Sequence, residues 1–323
     1  MKLRSFVLLL SLIVPILFHS ACQRGVQREG AGPEVALVLK TLNNPFYVDM
    51  EKGAREAAQK LRIRLVVQAP DREVDVEKQM QIVENLIQRR VAAICLAPCG
   101  SREIVPVIAK ANRERIPVLI LDTRVDAEIL RQAGGSVTTF IGSDNFEGGR
   151  IAGEFIVKTI GGKGQVAILE GIPGHETSDE RTRGFRKALS GSPGIEIVAS
   201  QTANWERDQG FNVFQNILQS HAKVQALFAC NDLMALGALE AVAAAGKTGA
   251  IRVVGFDFLA DGREAIRSGA MDASIAQHPY DIGRLAVENA HRAIKGEPVP
   301  REIPVPVELI TRTNVSESAG GTP

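Results

Sequence analysis

Polar residues able to grip a ligand stand just beyond a series of short apolar runs. Lys40 and Asn44 follow Val35–Leu39, and Asp122 follows Val118–Leu121. Arg181 lies past Val166–Leu169, and Trp205 closes the loop after Ile197–Ala199. Asn231 comes soon after Ala226–Ala229, Asp257 ends the run Arg252–Phe256, and Gln277 ends Ala273–Ala276. Runs of this kind read as buried parallel strands, and in a wound parallel sheet ligands bind outside the carboxyl ends of the strands. Asn and Asp offer paired donors and acceptors, and Arg offers a rigid donor fork. Phe46, Tyr47 and Trp205 add flat apolar faces to a chain that is only 5% aromatic. Hydroxyls that both donate and accept, carried on a ring with apolar C–H faces, answer to that set. The chemistry implied is reversible recognition of a sugar, sandwiched between Phe46 and Tyr47 on one side and Trp205 on the other.

Each of these residues has a plainer duty open to it. Asn44 before Pro45 is a natural turn and helix cap. Asp122 and Asp257 could cap the helices that follow them. Asn231-Asp232 reads as a cap pair, with Asp232 the cap and Asn231 the ligand contact. Arg181, within Asp179-Glu-Arg-Thr-Arg183, sits in a charge run of the kind that is usually solvated. Trp205 could be a packing residue. Only the recurrence of the same residue types at the same structural place lifts the set above these alternatives.

The elements that must carry the set alternate strictly. Strands are expected at Val35–Leu39, Leu65–Gln68, Ala92–Leu96, Val118–Leu121 and Phe140–Gly142. Helices are expected at Tyr47–Leu61, Val76–Arg89, Glu103–Arg113 and Gly148–Ile160. This β-α-β-α order predicts parallel sheets covered by helices on both faces. The second half repeats the plan. Val35-Ala-Leu-Val-Leu matches Val166-Ala-Ile-Leu, Gly53-Ala-Arg-Glu-Ala matches Gly184-Phe-Arg-Lys-Ala, and Asn85-Leu-Ile-Gln matches Asn216-Ile-Leu-Gln, each pair 131 positions apart. A constant offset across strand, helix and helix predicts two α/β lobes of like topology. Further strands are expected at Ala226–Ala229, Arg252–Phe256 and Ala273–Ala276, and helices at Leu233–Ala245, Arg263–Ser268 and Asp281–Ile294. Ile303–Leu309 reads as one extended segment holding two prolines. Gly161-Gly-Lys-Gly164 precedes a strand rather than a helix, so it is a turn and not a phosphate loop.

The 323 residues suffice for two domains with sizeable cores. Lys and Arg together number 38 against 37 for Asp and Glu, a net charge of +1, so no basic field is available for nucleic acid. The N-terminus has the three parts of a secretory signal: Lys2 and Arg4, the apolar run Phe6–Phe18, then His19-Ser-Ala-Cys22. Ser-Ala-Cys resembles a bacterial lipobox, with His19 where Leu is usual, and makes Cys22 the expected lipidation site. Residues 23–33 then form a polar tether. Cys95 and Cys99, four apart along a strand and its exit, would be separated by roughly 13 Å, too far for a disulfide at about 5.5 Å between Cα atoms. They are expected as free thiols. His175, His221, His278 and His291 are scattered, and no spacing suggests zinc or any other metal; no cofactor is implied.

At these residues the chain resembles the ribose- and allose-binding group of periplasmic sugar receptors. The resemblance rests on Thr41-Leu-Asn-Asn-Pro-Phe46, Gly142-Ser-Asp-Asn145, Ser200-Gln201, Asn231-Asp-Leu-Met-Ala-Leu-Gly237, Val253-Val-Gly-Phe-Asp257 and Ile275-Ala-Gln277, in the right order from about Val35 to Thr313. Leu39-Lys-Thr-Leu, Val48-Asp-Met and Ala133-Gly-Gly-Ser-Val look more like the allose receptor than the ribose one. The resemblance implies a type I periplasmic binding protein fold, a clamp with three hinge crossings near Ile141–Asp144, Gln277–Pro279 and Pro304–Val307. Residues 34–142 with 278–306 would make the N-terminal lobe, and 143–277 with 307–323 the C-terminal lobe, after a signal peptide at 1–22. It implies that Lys40, Asn44, Phe46, Tyr47, Asp122, Arg181, Trp205, Asn231, Asp257 and Gln277 touch the sugar. Two departures bear on its identity: Lys40 and Thr123 stand where the ribose pattern has Ser and a sugar-contacting Arg. An aldohexose such as allose is favoured over ribose or another pentose. The implied protein is an exported, monomeric receptor, periplasmic or at the cell surface, that serves an ABC-transporter permease. Its contact with the membrane would be through the lipid anchor alone. A sensor presenting sugar to a chemoreceptor or histidine kinase is the alternative, with a carbohydrate-active enzyme behind it. The signal peptide and the lack of DNA-binding helices argue against a sugar-responsive repressor.

Overall fold

A computed structural model describes residues 32–316. Cys22 and the rest of the leader lie outside the described residues. Two six-stranded sheets form, each wrapped by helices. The first contains β1 (Glu34–Val38), β2 (Arg64–Gln68), β3 (Ala93–Leu96), β4 (Val118–Leu121), β5 (Thr139–Ser143) and β11 (Glu302–Val305), in the order β11-β5-β4-β3-β1-β2, parallel throughout. The second contains β6 (Lys163–Glu170), β7 (Gly194–Thr202), β8 (Val224–Ala229), β9 (Arg252–Asp257), β10 (Ala273–Ala276) and β12 (Glu308–Thr311), in the equivalent order β12-β10-β9-β8-β6-β7, with only β12 antiparallel. This is the doubly wound arrangement, in which the chain reverses direction at the first strand of each sheet.

The helices are α1 (Pro45–Leu61), α2 (Val76–Gln88), α3 (Val105–Arg113), α4 (Ala127–Gln132), α5 (Asn145–Thr159), α6 (Glu176–Leu189), α7 (Arg207–Ser220), α8 (Asp232–Ala244), α9 (Ala260–Ser268) and α10 (Pro279–Ile294). The repeat is structural: α1 and α6 open at Pro45 and Glu176, α2 and α7 at Val76 and Arg207, and β3 and β8 at Ala93 and Val224, every pair 131 residues apart. Strands β3 and β4 are apolar and fully buried because helices cover both faces of the sheet. Two apolar clusters lie on the faces of the first sheet, and one large cluster fills the second lobe.

The chain passes from one sheet to the other three times. After β5 it enters α5, which packs on α6 and the second sheet. After β10 it enters α10, which packs on α1 and the first sheet. Between β11 and β12 it crosses at Pro306-Val307. The single extended segment expected at Ile303–Leu309 is therefore two strands, one on each sheet. Pro304 is tolerated because β11 is an edge strand. Helix α4 was not expected: six residues give too little periodicity to read, and it is fixed by Asp126, whose carboxylate accepts from the amides of Glu128 and Ile129.

Candidate functional site

The carboxyl ends of both sheets face one cavity, lined by Lys40, Asn44, Phe46, Tyr47, Glu73, Asp122, Thr177, Arg181, Trp205, Asn231, Asp257 and Gln277. All ten residues expected from the sequence are brought together there, every one of them buried. Asp122 directly follows β4, and Asp257 is the last residue of the equivalent strand β9. Neither caps a helix; Asp126 and Leu259 hold those positions. Both aspartates have positive φ, +61° and +102°, and Trp205 has +68°. A non-glycine residue is strained in that region, and such strain collects at ligand clamps because the surrounding structure must hold it.

On the first lobe, Asp122 Oδ2 receives the Tyr47 hydroxyl at 3.2 Å and the Thr123 hydroxyl at 3.1 Å, and pairs with Lys40 Nζ at 3.3 Å. Lys40 also donates to Thr123 at 2.6 Å. The residues at the two departures from the ribose pattern are thus bonded to each other beside Asp122. Asn44 caps α1, its Oδ1 accepting from the Phe46 amide at 3.0 Å, while its Nδ2 donates to Glu73 at 3.1 Å. Burial raises the Glu73 carboxyl above the usual range, opposed by Lys40. Phe46 and Tyr47 meet edge to face at 88°, so the two rings cannot both lie flat against one sugar face. At most one of the two can offer its face to a flat ligand, against the expectation of a sandwich using both.

On the second lobe, Arg181 is the organiser. It donates through Nε to Asn145 at 2.9 Å and through Nη1 to the Cys230 carbonyl at 2.7 Å, and it pairs with Asp257 at 3.6 Å. Its guanidinium lies 3.8 Å from the centre of the Phe256 ring, a stacked cation. Burial pushes Asp257 up to about 8, with Arg181 pulling the other way. Gln277 donates to Asp257 at 2.7 Å. Gln277 Oε1 and Thr177 Oγ1 are buried and have no hydrogen-bond partner among the described residues. Buried oxygens of this kind at a cavity wall are open to a partner from the cavity, water or ligand.

The cap of α8 is Asn231 and not Asp232 as expected, although Asn231 also lines the cavity. Asn231 is the N-cap of α8, its Oδ1 accepting from the Met234 amide, and its Nδ2 also ties down the Trp205 carbonyl at 3.1 Å. Asp232 is instead fully buried in the first turn, accepting from Ser274 at 2.7 Å and from the Leu259 amide at 2.8 Å. Burial pushes Asp232 up to about 7. A carboxyl whose folded pKa is raised favours folding most below its unfolded value, and that contribution is lost as pH rises through about 7. Asp232→Asn is therefore expected to flatten the fall in melting temperature between pH 5 and 8. An unchanged slope would show that other groups set it.

Glu73 and Thr177 line the cavity but were not expected. The strand-end rule reaches Glu73 when applied to β2. Thr177 stands four residues before Arg181 on the same face of α6. Cys95, Cys99 and Cys230 are free, buried thiols, each pushed up to about 12 by burial.

The periplasmic binding protein domain matches this chain over residues 35–298. The chain belongs to that family. It is 41% identical over 277 residues to the ribose import binding protein RbsB of Haemophilus influenzae, covering 86% of this chain and 91% of that one. It is 38% identical over 259 residues to the D-allose-binding periplasmic protein of Escherichia coli, covering 80% and 83%. Among solved structures, it matches an ABC transporter periplasmic solute binding protein from Actinobacillus succinogenes with bound D-allose. That match has a TM-score of 0.83 and 37% identity, over 88% of this chain and all of that one. Family members of this kind bind substrates for importers and catalyse nothing, so the chain is a binding protein and not an enzyme.

Proposed function

We propose that this chain is the exported solute receptor of an ABC-type monosaccharide importer and that its lobes close on one aldohexopyranose, allose being the favoured cargo. The observation that carries this reading is the cavity between the two sheets. Its polar wall is drawn from both lobes, and the hydroxyl of Thr177 and the amide oxygen of Gln277 have no partner among the described residues. Ring hydroxyls would satisfy both. The Asp122 bonds to Tyr47, Thr123 and Lys40 all use Oδ2, which leaves Oδ1 to take a ring hydroxyl. The Lys40–Thr123 pair supports a hexose over ribose, because it moves the cation beside Asp122 from the position of the ribose pattern's Arg to the opposite loop. Lobe closure around ligand is the hinge motion open to such a fold, and the closed form would be the state the permease reads.

The test is a thermal-shift screen of protein lacking residues 1–22 against pentoses, hexoses and polyols, with calorimetry on each stabiliser. A ligand at 1,000 times its Kd adds about 4 kcal/mol of stability, a shift of several degrees. D-Allose is expected to stabilise more than D-ribose. No shift with any monosaccharide would overturn the receptor reading, and ribose above allose would overturn the hexose assignment. Thr177→Val, which keeps shape but removes the hydroxyl, is expected to weaken allose about tenfold for one lost hydrogen bond. Calorimetry showing unchanged affinity would remove Thr177 from the site.

A further inference from the structure

We infer that His175 is a positioning residue that ties the aromatic wall of the cavity to the closed arrangement of the lobes. This rests on the reading that the lobes close around a ligand. His175 stands at the N-cap of α6, yet its side chain does not cap the helix. The ring is 2% exposed. Nε2 lies 2.6 Å from the Cys99 carbonyl of the other lobe, and Nδ1 lies 3.4 Å from the indole nitrogen of Trp205. A carbonyl only accepts and an indole N–H only donates. Both contacts therefore hold together in one form alone, the neutral imidazole with its proton on Nε2. Burial and the nearby Lys40 charge keep the ring neutral, pushing its pKa down to about 3 against the pull of Asp122 and the Cys99 carbonyl. A second bond crosses beside it, from the Glu176 amide to the Ser101 hydroxyl at 3.2 Å.

Trp205 is otherwise held by packing in the apolar cluster of the second lobe, with the Arg181 guanidinium 5.5 Å from its ring centre. Its backbone carbonyl is held by Asn231, and its ring lies so close over Gly171 that an added Cβ there would stand 1.9 Å from Cζ2. The indole N–H to His175 is the remaining polar tether. Opening the lobes breaks the bond to Cys99, so the clasp acts in the closed form. A ligand stacked on Trp205 thereby holds the lobes shut, and the clasp in turn slows ligand escape. Loss of the clasp should appear in the dissociation rate, where most affinity differences within one interface reside.

The probe is D-allose. His175→Phe, which keeps a ring but has no nitrogen, is expected to release D-allose roughly tenfold faster, with the association rate unchanged. Because Trp205 is the chain's only tryptophan, its emission should also shift in the allose-saturated variant. His175→Gln, whose amide can donate to Cys99 and accept from Trp205, should restore both readouts; a general packing defect would not be repaired this way. Wild-type release and emission in the Phe variant would overturn the inference, as would a Gln variant no better than Phe. If His175→Phe does not fold, His175→Gln with Trp205→Phe supplies a double-mutant cycle by calorimetry, and additive effects would overturn it. If wild type takes up no D-allose, the receptor reading for that sugar fails by itself. The clasp is then judged on ligand-free protein, where small-angle scattering should show His175→Phe more open than wild type, and equal profiles would sink it.

Discussion

Arg181→Ala is expected to weaken monosaccharide binding by roughly 100- to 10,000-fold, below what calorimetry detects. The guanidinium is committed at Nε to Asn145 and at Nη1 to Cys230 and Asp257, while Nη2 makes no bond among the described residues. A buried, charge-assisted hydrogen bond contributes about 1.5–3 kcal/mol. Two such bonds to a ligand amount to about 3–6 kcal/mol, and each 1.4 kcal/mol is tenfold in Kd. Truncation also frees Asp257 and Gln277, whose placement depends on the arginine. Removing one member of a buried ion pair ordinarily destabilises strongly, because the other charge stays buried and alone. Here Asp257 is already pushed up to about 8 by burial and can hold its proton near neutral pH. The fold should therefore survive, with an unchanged circular dichroism spectrum and a cooperative melt. Asp122→Asn is the companion variant on the other lobe: it keeps an acceptor for Tyr47 but leaves Lys40 without its counter-ion. A folded Arg181→Ala protein that binds allose with near-native affinity would remove the arginine from the ligand set.

The site was legible to different depths at different residues. Asp122, Asp257 and Gln277 could be read because a strand's end is visible in the sequence and topology fixes which end faces the cleft. Arg181 could not be separated from its charged neighbours by local pattern. Arg183, two residues on, pairs with Glu180 at the surface, and only the helix face decides which arginine turns inward. His175 left no signal, because one of its partners is a backbone carbonyl 76 residues away on the other lobe and the other is a side chain 30 residues away. Asn231 and Asp232 are both good N-caps by type. The choice between them was made by the Ser274 hydroxyl and the Leu259 amide, which drew the aspartate away. At Ile303–Leu309 local pattern showed only extension; that the segment is shared between two sheets followed from the family resemblance, which implied a crossing near Pro304–Val307. In each case local chemistry set the type of element or group, and contacts from distant segments set its role.

Gly283→Val is expected to destabilise the protein by about 3 kcal/mol or more and to weaken ligand binding with it. An added Cβ at Gly283 would stand 1.8 Å from the Met50 carbonyl oxygen, and one at Gly53 would stand 1.9 Å from the Tyr280 carbonyl oxygen. The two glycines are reciprocal: one on α10 admits the backbone of α1, the other on α1 admits the backbone of α10. Neither carbonyl is a flexible side chain that can swing away, so the helices must separate. Gly149 and Gly184 make the same reciprocal contact between α5 and α6 in the second lobe, against the carbonyls of Arg181 and Phe146. The contact is therefore a property of the repeated unit. Its place in the fold makes it functional as well. Helix α1 begins at Pro45 and carries Phe46 and Tyr47 into the cavity, and α10 begins at Pro279, two residues after Gln277. Forcing the pair apart displaces the aromatic wall and the hinge strand that holds Gln277 together. Thermal melting should show a drop of roughly 6–12 °C for that loss of stability, and calorimetry a fall in affinity at temperatures where the variant is still folded. Gly191→Ala, at a surface glycine with nothing within 4 Å of the added carbon, is the control expected to change neither. A Gly283→Val protein with the melting temperature of wild type would mean that the close helix contact is not what holds this lobe's binding wall in place.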